Sequence, residues 1–169
     1  GLMMGFMMKN ERDRLTININ GGGPIGTILA VSDNSGHVKG YVDNPNVDLE
    51  LKENGKLNVG GAVGIQGKLT VMMDIGMKEP YVGSTDLATG EIGEDIALYY
   101  YLSEQQNTAV ALGALVDTDY SIKSAGGFMV QTLPFIEDED LDKLENTLGS
   151  LKSISDYFDN DRDVEEIAK

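Results

Sequence analysis

Three groups of residues have types and spacings that could do chemistry. Gly21 to Gly26 reads GGGPIG and satisfies the G-x-G-x-x-G fingerprint of dinucleotide binding. That mechanism needs a strand before the glycines and a helix N-terminus after them, so that amide N–H groups face a pyrophosphate. Here the residues after Gly26, through Val31, continue as a β pattern, so the glycines are expected to supply positive φ angles in a strand-to-strand connection. Glu91, Glu94 and Asp95 share a helix face and could form a metal or acid/base cluster, but no partner is visible in sequence. Favourable placement near a helix N-terminus and solvent exposure account for them more simply. His37 and Ser103 suggest a triad, yet no G-x-S-x-G elbow is present, and a lone His in a strand is expected at an edge or on the surface. The catalytic and metal assignments are therefore none.

The elements that must position these residues follow from periodicity. Leu15, Ile17 and Ile19 alternate with Thr16, Asn18 and Asn20, which predicts a half-buried strand ending at the glycines. Strands over Ile25 to Val31 and His37 to Val42, joined by the Asp33-Asn34-Ser35-Gly36 turn, complete an antiparallel meander. A turn-rich stretch follows Asn44-Pro45-Asn46; then Lys68 to Asp74 and Tyr81 to Leu87 predict a hairpin. Ile92, Ile96, Tyr99, Tyr100 and Ser103 fall at helical spacing and predict a helix of about four turns. Thr108 to Val116 and Ile122 to Leu133 predict a second hairpin, stopped by Pro134, with a bulge or a close backbone approach at Gly126-Gly127. Leu141, Leu144, Leu148 and Leu151 predict a last helix behind the acidic turn Glu137 to Asp140. The fold class is α+β: antiparallel sheets, meander and hairpins, packed with a few helices.

Charge and composition exclude several functions. With 28 acidic and 13 basic residues the net charge is −15, which repels nucleic acid and anionic membrane. The sequence has no cysteine and one histidine, so it holds no disulfide framework, thiol nucleophile or Cys/His zinc site. Such usage suits a reducing cytosol. The apolar start, Gly1 to Met8, is too short to span a membrane and lacks the features of a signal peptide. It reads as the end of a buried helix, and the chain is expected to be a fragment whose upstream residues were removed.

Two features suit protein binding. Of Tyr99, Tyr100 and Tyr101, helical spacing must turn at least one ring out of the core. The eight methionines, at 3, 4, 7, 8, 72, 73, 77 and 129, could form an adaptable surface, although core filling explains them more simply.

Five blocks taken in order carry a resemblance: Asn20 to Gly26 (NGGGPIG), Gly40 to Pro45 (GYVDNP), Gly90 to Asp95 (GEIGED), Tyr99 to Gln105 (YYYLSEQ) and Ser124 to Gln131 (SAGGFMVQ). The chain resembles the thirty-three-kilodalton chaperonin family, the redox-regulated heat-shock holdases of bacteria. The resemblance implies a non-enzymatic, ATP-independent chaperone that holds unfolding client proteins under oxidative heat stress and is active as a homodimer in the cytoplasm. It also implies a C-terminal module with four cysteines on zinc, whose oxidation uncovers the binding surface. On this reading residues 1–150 are one chaperone core domain lacking its N-terminal helical part, and 151–169 form an acidic helical tail toward the linker. The cysteine module is absent, so no cofactor is expected in this chain. The matched glycines and Pro45 are read as backbone geometry, Tyr41 and Tyr99 as packing, and the client-binding surface is left unassigned. The alternative is a structural dimerisation or scaffold domain with a fixed protein partner, and a small-molecule enzyme with a polar cleft ranks third.

Overall fold

The computed structural model describes residues 1–133, 135–151 and 154. The chain divides into two compact units, Gly1–Gln105 and Gln106–Lys169, a division that sequence reading did not draw within residues 1–150.

The first unit is built on a five-stranded antiparallel sheet of order β3-β2-β1-β4-β5. Its strands are β1 (Arg14–Asn20), β2 (Ile28–Asp33), β3 (Val38–Val42), β4 (Lys68–Asp74) and β5 (Tyr81–Asp86). The expected meander is there, with Ile17 opposite Ala30 and Leu29 opposite Tyr41, and so is the β4–β5 hairpin, with Val71 opposite Gly83. The two are joined by pairing of β1 with β4, Ile17 opposite Val71, a contact between distant segments that strand periodicity does not encode. β2 begins three residues later than expected. Gly26 has φ +72°, and the Thr27 N–H donates to Asp43 Oδ2 at 2.7 Å, so residues 25–27 belong to the connection. His37 likewise precedes β3 and does not lie within it.

One sheet face forms the core. Leu15, Ile17 and Ile19 of β1 and Leu69 and Val71 of β4 alternate inward, and each is almost fully buried. A buried aliphatic side chain contributes about 1.5–3 kcal/mol relative to exposure, so these five supply much of the hydrophobic stabilisation. The helix α3 (Ile92–Ser103) packs on β5 and β4 and adds Ile96 and Tyr99. The short helix α1 (Leu2–Phe6) packs on β2 and β1 through Met4. Helix α2 (Val59–Val63) was not expected, because two of its five residues are glycine. It forms because Asn58 caps it, accepting from the Gly61 N–H at 3.0 Å, and Val63 enters the core.

The second unit contains β6 (Thr108–Val116), β7 (Ile122–Gln131) and α4 (Asp138–Ser150). The two strands pair antiparallel, Leu112 opposite Gly127. The irregularity falls between Leu115 and Val116 and not at the glycines; the close approach is at Gly127, where a Cβ would lie 2.3 Å from the Ala111 carbonyl oxygen. Asp138, Glu139 and Asp140 occupy the first turn of α4, and Lys143 bridges Glu139 at 2.9 Å and Asp140 at 3.2 Å. Leu151 follows the helix as its C-cap. Pro134 and the acidic tail, apart from Leu151 and Ile154, lie outside the described residues.

Candidate functional site

The glycine fingerprint is filled by the protein's own backbone. The Gly23 N–H donates to the Val63 carbonyl at 2.9 Å, Ile25 to Ala62 at 3.1 Å, and Gln66 back to the Gly21 carbonyl at 2.8 Å. A Cβ on Gly21 would stand 2.1 Å from the Gly64 carbonyl oxygen. The segment is thus clasped against the end of α2, and the amides that a pyrophosphate would need are used internally. Asp43 braces it from the other side: its Oδ1 accepts from the Tyr41 hydroxyl and its Oδ2 from the Thr27 N–H. The Tyr41 hydroxyl first, then Thr27, hold the Asp43 carboxyl below the ordinary Asp range. Tyr41 itself is exposed, so its part is this hydrogen bond and not the core packing expected for it.

The acidic trio separates into three roles. Glu94 is exposed, as expected. Asp95 is not: it is 2% exposed, and its Oδ1 accepts from the Ala88 N–H at 2.8 Å and the Thr89 N–H at 3.2 Å, tying the loop after β5 to α3. Solvation cannot be its role; the loop amides needed an acceptor, and helical periodicity alone gives no sign of that. Glu91 Oε1 accepts from the Gly60 N–H at 2.9 Å and from Lys52 Nζ at 2.5 Å, joining α2, α3 and the loop between β3 and α2. All three acids are structural or solvated.

His37 pairs through Nδ1 with Asp33 Oδ2 at 3.1 Å in an exposed turn. Burial opposes charge on Asp33, but hydrogen bonds from His37 and Ser35 outweigh it and hold its carboxyl below the usual range. Ser103 is the last residue of α3, and no hydrogen bond links it to His37 among the described residues. Nor do the described residues gather three His, Cys, Asp or Glu where a metal could sit. The cysteine-bound zinc that the resemblance implies does not fit these residues, since the sequence has no cysteine to hold it.

What remains is apolar surface. The tyrosine run divides as helical geometry requires: Tyr99 is 0%, Tyr100 8% and Tyr101 61% exposed. Burial raises the Tyr100 phenol to about 12, and its hydroxyl points to Met7 Sδ at 3.8 Å. Core filling, the simpler explanation of the methionines, holds for Met4 alone; Met7, Met72 and Met77 are exposed and the other four half-buried. On the sheet face turned away from the core, Val31, Thr16, Met72 and Val82 lie in one row across β2, β1, β4 and β5. Met72 and Val82 in that row are exposed. Such a surface offers desolvation and an adaptable thioether, and it contains no group for turnover chemistry. Among the described residues no helix is long and apolar enough to cross a membrane.

Comparison with known proteins agrees with the resemblance. A family model described as Hsp33 protein matches residues 1–169. A 33 kDa chaperonin of Alkaliphilus oremlandii (strain OhILAs) is 53% identical over 165 residues, 98% of this chain and 55% of the relative. Another, from Caldanaerobacter subterraneus subsp. tengcongensis, is 51% identical over 165 residues, 98% of this chain and 56% of the relative. The crystal structure of a 33 kDa chaperonin (heat shock protein 33 homolog) from Thermotoga maritima superposes with a TM-score of 0.87 at 39% identity, covering 98% of this chain and 58% of that one. The chain spans about half the length of the curated relatives it matches. Those relatives are named as chaperonins, a family of non-enzymes. A fold with spent glycines, structural acids and exposed apolar side chains on its outer sheet face, matched end to end by one family, belongs to the Hsp33 protein family.

Proposed function

We propose that this chain is the core of an ATP-independent holdase, a chaperone that binds unfolding client proteins and keeps them from aggregating under oxidative heat stress. The observation that carries this reading is the family match over residues 1–169 with relatives named as chaperonins. The exposed Met72 and Val82 on the outer sheet face support it, because apolar area offered to solvent binds apolar segments by desolvation with little sequence preference. The net charge of −15 supports it too, since like charge keeps loaded complexes dispersed.

The compartment in this reading is the cytoplasm and the active form a homodimer. In this reading zinc and redox control would need a cysteine module, which would bind zinc as thiolates, and this chain has no thiol through which peroxide could act in that way. Client binding by this chain is then insensitive to peroxide. The test is light scattering of several unrelated heat-denatured proteins with the chain present, with and without peroxide. Equal suppression of scattering in both conditions and for all clients is the expected result. Binding of one fixed partner with no suppression points instead to a scaffold domain, and no suppression of any client contradicts the proposal.

A further inference from the structure

The two ends of α3 obey opposite rules. Glu94 and Asp95 stand in its first turn, where the helix dipole favours acids. Glu104 closes the other end as the C-cap, where partial negative charge disfavours a carboxylate, and no basic residue stands in the last turn to compensate. What holds it there is Tyr99, whose hydroxyl donates to Glu104 Oε1 at 2.5 Å from a ring with no exposed surface. The seat for that ring is specific: a Cβ on Gly83 of β5 would come within 2.7 Å of the Tyr99 hydroxyl oxygen. Burial first, and then the Glu104 carboxylate, raises both the Tyr99 and the Tyr81 phenols, so Tyr99 keeps the proton it donates. The residue after Glu104 breaks a second rule. Gln105 has φ +54°, a left-handed conformation that a side chain with a Cβ adopts at a cost. It is also the last residue of the first unit.

We infer that the Tyr99–Glu104 pair is a conformational latch: closed, it holds the last turn of α3 and the left-handed Gln105, and opened, it frees the chain where the first unit ends. Two unfavourable local choices side by side persist only where neighbouring structure imposes them. Here the chief imposing contact is the hydrogen bond from a buried phenol to a charge at the wrong end of a helix, with the half-exposed Tyr81 hydroxyl as a second partner of the same carboxylate and the Glu104 N–H bonded to the Tyr100 carbonyl at 3.2 Å. Such a contact is strong while it lasts, and no salt bridge to Glu104 stands behind it among the described residues. This part of the molecule therefore opens before the sheet does. The inference does not depend on the chaperone reading.

Hydrogen exchange on the whole chain tests it. Tyr99→Phe keeps the ring in its seat and removes only the donor, so amides 102–107 should exchange about tenfold faster, the size of one charge-assisted hydrogen bond, while β1 and β4 amides keep their rates. Glu104→Gln keeps an acceptor for Tyr99 and removes both the charge assistance and the opposition to the dipole, so the same amides should accelerate clearly less than in Tyr99→Phe. Unchanged rates at 102–107 in Tyr99→Phe, or an equal acceleration throughout the first unit, overturn the latch. Acceleration in Glu104→Gln as large as in Tyr99→Phe does so as well, because an acceptor for the Tyr99 hydroxyl would then contribute nothing to holding the turn.

Discussion

The five-stranded sheet and the β6–β7 ribbon are both antiparallel and both well registered, yet only the sheet closes over side chains. Among the described residues every buried hydrophobic side chain lies before Gln105, and in the second unit none is buried. The difference comes from pairing and composition. β1 has neighbours on both edges and presents Leu15, Ile17 and Ile19 to one face, so one strand organises a whole layer. β6 and β7 place Ala109, Ala111, Gly113, Ala125, Gly126 and Gly127 in their middles, residues with little or no side chain to bury. A two-stranded ribbon of that kind has marginal stability by itself. Hydrogen bonds define both regions, but hydrophobic burial anchors only the first.

The largest expected effect sharpens this contrast with matched substitutions. Leu69→Ala, at a site with no exposed surface, should cost about 2–5 kcal/mol in denaturant unfolding. Leu112→Ala on β6, where the side chain is exposed, should cost under about 1 kcal/mol. Comparable losses at both sites would break the comparison. Glycines supply the next test. Gly64 has φ +76°, and a Cβ there would meet the Gly21 carbonyl oxygen at 2.4 Å, so Gly64→Ala should cost about 1–3 kcal/mol or more. Gly149 in α4 has open space around it and no positive φ, so Gly149→Ala should stabilise that helix by up to about 1 kcal/mol, read as increased helical circular dichroism.

How far these regions could be read from sequence also differs. Period-two alternation located β1 within a residue, because a strand with one buried face must show it, and β-prone composition between turn signals placed β4 and β6. The β1–β4 pairing that makes one sheet of two pieces was not legible, since nothing local to Ile17 names Val71 as its neighbour. Helix α2 was hidden by Gly60 and Gly61, which are there because the Thr89 carbonyl and the Glu91 carboxylate run against Gly60 and because Asn58 folds over Gly61. Among the candidate site residues, the GGGPIG loop was legible as a strand-to-strand connection from the β pattern after it, but its clasp on α2 was not. The burial of Asp95 was not, because the two loop amides it serves lie six and seven residues upstream.

The smallest expected effect is the pH dependence, and it should touch both units. Asp43, by its Tyr41 and Thr27 bonds, and Asp117, chiefly by the Thr118 N–H, are held below the ordinary Asp range. A depressed carboxyl contributes stability that is present above its unfolded pKa and lost as pH falls through the folded value. Thermal melts between pH 7 and pH 3 should therefore show a modest acid loss, and Asp43→Asn should flatten it for the sheet while leaving the ribbon's share. An unchanged slope in that variant removes Asp43 from the account.

The central claim is that a stably folded sheet carries apolar area which unfolded proteins occupy. Hydrogen exchange of the chain alone and in the presence of a heat-unfolded client tests it most directly. Unchanged, slow exchange is expected in Leu15 to Ile19 and Leu69 to Val71, with new protection elsewhere on the chain. Identical exchange everywhere, or loss of protection in those two strands when the client is added, would contradict it.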